Sequence, residues 1–199
     1  MNGRGTVGGA FRFAARGVLD AALRQRSMRF HLVAAVLVAT FVCAFPLGLA
    51  EQLGLLLSVF LVISAEAMNS AVEAAVDLVT GELDERARLA KDAAAGAVLV
   101  LATGALAVLA LVLVRDWELV QAARAEAFDV LAVGVPLAVL SAFLVFPFAR
   151  PEGLDLLAAL GGAALLLPLA LYSQSLVSTG LAALAFGTCA ATAFARRGE

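Results

Sequence analysis

The sequence predicts an all-α membrane protein: an N-terminal amphipathic surface helix, a core of three membrane helices, and three further transmembrane helices. Composition, run length and charge placement each point that way. Of 199 residues, 63% are hydrophobic and 15% charged, and the mean hydropathy is +0.99, outside the range of water-soluble domains. Apolar runs recur near the ~20 residues that a helix needs to cross a bilayer. Basic residues also segregate by loop, as membrane topology requires. They form no patch interleaved with aromatics, so nucleic-acid binding is not expected.

Residues 1–29 hold Arg4, Arg12, Arg16, Arg24, Arg26 and Arg29, with a helical pattern from about Ala10. Phe11, Ala14, Ala15, Val18, Ala22 and Met28 make an apolar face between arginines, a pattern suited to a helix lying on an anionic leaflet. A secretory signal is not expected, because no small-residue cleavage site follows a short apolar core. Six spans follow at roughly 30–49, 53–75, 95–114, 128–148, 154–172 and 176–195, the second continuing as helix to about Gly81. Trp117 and Tyr172 fall at span ends, where interfacial aromatics belong. With the N-terminus inside, 12 of the 14 basic residues lie on the cytoplasmic side, Arg115 and Arg124 being the exceptions. The expected organisation is a surface helix over 1–29, a three-span core over 30–115 and a three-span extension over 116–199.

The second span carries Glu66, Asn69, Glu73 and Asp77. At about 100° per residue these lie within roughly 60° of Glu66's direction, and Thr80 and Asp84 continue the line. Carboxylates in an apolar span are costly unless they pair, bind a cation or face water. A polar seam between helices is the bland alternative. The stripe's polar end and the loop from Gly81 to Asp92 face the cytoplasm, where ATP is. Phosphoryl transfer needs a divalent cation on the phosphates, cationic groups, and an acceptor for the hydroxyl proton. Magnesium uses only one or two protein carboxylates beside phosphates and water. Glu66 and Glu73 are about 10 Å apart along the helix axis, far enough for separate roles. Lys91, the only lysine, stands with Asp92 at the start of the third span. No GxxxxGK[ST] loop is present, so a nucleotide site must be built from membrane helices.

The run Glu66-Ala-Met-Asn69-Ser70-Ala-Val-Glu73-Ala-Ala-Val-Asp77, the acidic turn Glu82-Leu-Asp-Glu85 and Ala90-Lys91-Asp92 resemble the small bacterial integral-membrane lipid kinases, the diacylglycerol and undecaprenol kinases. Ser27-Met28-Arg29-Phe30-His31-Leu32 looks like the undecaprenol-kinase branch. The resemblance covers about residues 8–115. It implies ATP, Mg²⁺, a lipid alcohol acceptor, the bacterial inner membrane, and a homotrimer with active sites between protomers. It further implies that Glu66 is the base for the lipid hydroxyl and that Glu73 binds the metal. By the same resemblance Asn69, Asp77, Glu82, Glu85, Lys91 and Asp92 position the nucleotide, with Arg16 as a further phosphate contact.

One position departs from the pattern. The family's second metal-binding glutamate is here Gln25, whose amide oxygen can ligate but adds no negative charge. Asp20 lies off that face and is expected to be a poor substitute. The sequence therefore leaves a second class open, a catalytically weak or silent lipid-binding scaffold. An ion-coupled transporter fits less well, since the charges cluster at one end. After the outside segment Arg115–Glu126, the last three spans carry only the acids Asp129, Glu152 and Asp155, all at span ends, and offer no site for chemistry. The extension's Ser175–Phe186 segment faintly resembles a PAP2-type phosphatase motif, with Leu181 where the histidine belongs. Cys43 and Cys189 read as buried hydrophobes, and the lone His31 as a packing or interfacial residue.

Overall fold

In the computed structural model, which describes residues 6–79 and 84–197 (the side chain of Glu152 excepted), the chain is all helix: α1 Val7–Arg24, α2 Arg26–Ala44, α3 Leu49–Val79, α4 Glu85–Arg115, α5 Trp117–Ala122, α6 Arg124–Val145, α7 Glu152–Tyr172 and α8 Leu176–Arg197. Six of these, α2, α3, α4, α6, α7 and α8, are long and apolar enough to cross a membrane, matching the six expected spans. α1 and the short α5 sit at opposite ends of the bundle.

The expected boundaries shift where local chemistry intervenes. α1 starts at Val7, capped by the Thr6 hydroxyl on the Gly9 amide at 3.2 Å. It does not run to residue 29. Gln25 breaks it with extended angles (φ −94°, ψ 123°), and Arg26 already begins α2. The turn is held from within: the Arg29 guanidinium donates to the carbonyls of Ala22 and Leu23, the last turn of α1. Met28, expected on the surface face, is fully buried as part of α2. α2 stops at Ala44 because Pro46 disfavours helix at the residue before it.

α3 and α4 have 31 residues each, about 46 Å at 1.5 Å per residue against a hydrocarbon core of about 30 Å. Both therefore project past the apolar layer. The region from Gly81 to Asp92, expected as a loop, is helical from Glu85 onward. Asp84 initiates it by accepting from the amides of Arg86 and Ala87 at 2.8 and 2.9 Å. Pairing α3 with α4 over this length carries the stripe into the polar zone.

The bundle is centred on α2, which packs more extensively on α6 and α8 than on α3. Its Ala35, Val36, Ala39, Thr40 and Cys43 are all buried, small side chains that let membrane helices approach closely. Gly134 of α6 sits against Thr40, and Gly162 of α7 against the Phe186 ring, so closely that a Cβ at either glycine would overlap its neighbour. The extension is thus continuous with the rest in one core. Leu181 is buried within it, and both cysteines are buried and free, as expected.

Candidate functional site at the α1 end of the bundle

The polar stripe of α3 is turned inward at its start and outward at its finish. Glu66 is 1% exposed and Asn69 7%; Glu73 is half-buried and Asp77 exposed. A buried carboxylate persists only if hydrogen-bonded. Glu66 Oε1 accepts from the Ser27 hydroxyl at the start of α2, and no described residue donates to its other oxygen. One turn on, Asn69 Nδ2 donates to Glu73 Oε1 at 3.0 Å, and the Gln25 amide donates to Glu73 Oε2. The break between α1 and α2 therefore delivers Gln25 and Ser27 side by side onto Glu73 and Glu66. At the wet end, Lys91 Nζ of α4 meets Asp77 Oδ1 at 2.5 Å.

A cleft of about 730 Å³ opens between α1 and α3, its wall including Asp20, Arg24, Gln25, Glu73 and Asp77. Three carboxylates, an amide and a guanidinium thus surround one solvent-open space beside Lys91. Asp20, read from sequence as lying off the face, lines this same cleft. Arg16 does not: it borders a separate cavity between α1 and α8, and Arg24 is the α1 arginine in the cleft. The helix break shifts the faces of α1 relative to a continuous helix, and the sequence carries no glycine or proline to announce it.

The other expected residues are mixed. Glu85 opens α4 as an exposed first-turn residue. Asp92 is exposed and paired with Arg88 at 2.8 Å, outside the cleft wall. Glu82 and Thr80 lie outside the described residues. Among the described residues no three His, Cys, Asp or Glu side chains gather as a ready-made metal cage. The donor set nevertheless suits a magnesium ion brought in on phosphates, which takes few protein oxygens. Glu73 is one hard donor and the Gln25 amide oxygen another. Asn69 Oδ1 is a buried acceptor with no partner among the described residues, a cost that a cation removes.

Comparison with known proteins decides the family. The prokaryotic diacylglycerol kinase family matches residues 12–113, just over half of the chain. The chain belongs to that family. It is a membrane-embedded lipid kinase by family, and it is 39% identical over 95 residues to an undecaprenol kinase of Bacillus subtilis, covering 47% of this chain and 76% of that protein. It is 40% identical over 100 residues to a diacylglycerol kinase of Synechocystis, covering 50% of this chain and 57% of that protein. No solved structure matches. The matched residues end before α5, so α5 to α8 lie outside the family match.

Residues that sequence reasoning missed are Ser27, Asp20, Arg24 and a buried ion cluster in the extension. There the Arg150 guanidinium donates to Asp155, which also accepts from Arg197 Nε at 2.5 Å. Asp155 is 2% exposed, and the Arg150 side chain 5%. Arg196 donates to the Val145 and Phe146 carbonyls at the end of α6. All these donors are spent on fold contacts, so the cluster ties three helix ends together. The available signal was that Arg150, Asp155, Arg196 and Arg197 all fall at one end of the spans.

Proposed function

We propose that the chain transfers the γ-phosphoryl group of ATP to a lipid alcohol, undecaprenol in preference to diacylglycerol, at the cytoplasmic face of a bacterial inner membrane. The observation that carries this reading is the pairing of a buried, Ser27-held Glu66 with a solvent-open cleft one helical turn beyond it. A lipid hydroxyl must be met at the apolar edge and a nucleotide at the wet edge, and α3 spans both.

Glu66 accepts the hydroxyl proton on the oxygen that Ser27 leaves open, while the alcohol oxygen attacks the γ-phosphorus and ADP leaves. Ser27 keeps the carboxylate pointed by donating to its Oε1. Glu73, Gln25 and Asn69 hold the phosphate end, and Lys91, oriented by Asp77, adds a cation near developing charge. Magnesium on the nucleotide neutralises phosphate oxygens; Glu73 with the amide oxygens of Gln25 and Asn69 would hold it. Arg24 and Asp20 border the space for the nucleotide. Undecaprenol is preferred because Ser27–Leu32 resembles that branch and the Bacillus subtilis relative is an undecaprenol kinase. A homotrimer is part of the reading, supported by the family resemblance and by the largely uncovered surface of α4.

The test is label transfer from the γ-phosphate of ATP in vesicles holding undecaprenol and diacylglycerol together. Label on undecaprenol, lost in Glu66→Gln, is expected. Preference for diacylglycerol overturns the acceptor assignment. A wild type without transfer, restored by Gln25→Glu, replaces the kinase with a silent descendant, the reading that the Gln25–Glu73 contact keeps open.

A further inference from the structure

A second cavity, of about 240 Å³, lies inside the apolar layer between α2, α3 and α4. Its walls include His31 and Ala34 of α2, Val62 and Ile63 of α3, and Ala102 and Ala105 of α4. α2 and α4 each pack on α3 but hardly on one another, so the cavity opens sideways toward the bilayer. Building on the lipid-kinase reading, we propose that this cleft holds the hydrocarbon chain of the acceptor next to its hydroxyl, and that His31 hydrogen-bonds the acceptor oxygen and sets it beside Glu66.

Helix register supports the connection. Val59, Val62 and Ile63 line the cleft, and Glu66 follows at offsets seven, four and three, on the same face of α3. Helical side chains lean toward their own N-terminus, which for α3 is the far end of the bundle, so Glu66 leans toward the cleft, whose α3 wall ends at Ile63, one turn away. On α2, Ser27 touches Glu66, and His31 is one turn deeper on the same side, within electrostatic reach of that carboxylate. Neither ring nitrogen of His31 has a hydrogen-bond partner among the described residues. The other polar wall residue, Ser58, spends its hydroxyl on the Gly54 carbonyl at 2.7 Å. His31 is thus the polar group left for a ligand at the mouth of an apolar slot.

The shape selects a linear chain. The α3 wall from Leu55 to Ile63 is about 12 Å long, and alanines on α2 and α4 keep the slot thin. A neighbouring helix, about 10 Å across, does not fit in this volume. The chain's remainder stays in the bilayer through the side opening. His31 is a specificity and positioning residue here, and Glu66 keeps the proton.

The experiment uses the full-length protein in vesicles with undecaprenol. Ala105→Phe and Ala102→Phe fill the slot and raise the acceptor KM at least tenfold, leaving the ATP KM unchanged. His31→Ala raises the acceptor KM and His31→Gln restores most of it, which a packing role does not predict. Ala183→Phe, in the groove between α3 and α8, leaves both constants unchanged. Because a filled slot can also misfold, a polyprenol carrying a photoreactive group is applied to wild type, and its label maps to α2 or α4 wall residues. Label at the α3–α8 groove near Phe60 and Leu184, cross-links between two copies through the cleft, or an unaltered acceptor KM in both Phe variants overturns the assignment. A wild type that takes label in the cleft yet transfers no phosphate refutes the kinase reading and supports the cleft.

Discussion

Glu66 and Gln25 are where single atoms decide most. Glu66→Gln keeps the shape and the Ser27 contact but removes the proposed proton acceptor, so the proposal predicts that turnover falls about 100-fold or more, the range for a lost general base, while thermal stability is unchanged or rises. Turnover and a melting curve on the same preparation check both halves. Gln25→Glu sets two carboxylates against each other at Glu73. Without a divalent ion they repel, and with one they share it. The variant melts below wild type in chelator, regains stability with magnesium, and binds the ion about tenfold more tightly, roughly 1.4 kcal/mol. At this scale the sequence was informative: the α3 spacing alone placed Glu66, Asn69, Glu73 and Asp77 on one face. It was silent on Ser27, whose role depends on a bend between α1 and α2 that no glycine or proline marks.

Helix junctions and helix lengths position those atoms. Where α1 ends, Arg29 reaches back to the carbonyls of Ala22 and Leu23. Arg29→Ala leaves them uncapped and costs about 1.5–3 kcal/mol, the worth of hydrogen bonds to a charged group. The expected result is a raised ATP KM with a smaller change in the acceptor KM, read by steady-state kinetics, because Gln25 is displaced from Glu73. Element identity was legible from apolar run length, and all six spans were found. Boundaries were not. Asp84 extends α4 ten residues earlier than hydropathy suggests, since capping outweighs polarity there. The surface helix and first span blur in sequence because arginines flank both.

At the scale of the molecule, one core joins the matched residues to α6, α7 and α8 through α2. Sequence placed the acids of the extension at span ends and stopped there. Burial of Asp155 against Arg150 and Arg197 appears only once three helix ends converge. Removing one partner of a buried ion pair costs about 3–5 kcal/mol. Asp155→Ala therefore lowers the melting temperature in a single transition that takes the kinase half with it, whereas two independent domains give two transitions. The central claim, that α3 divides its labour between a lipid-facing base and a phosphate-facing ligand, is tested most directly by measuring magnesium–ATP affinity and turnover side by side in Glu66→Gln and Glu73→Gln. Glu66→Gln should bind nucleotide like wild type and fail to turn over, and Glu73→Gln should lose nucleotide binding. Equal nucleotide affinity in both, or sustained turnover by Glu66→Gln, contradicts it.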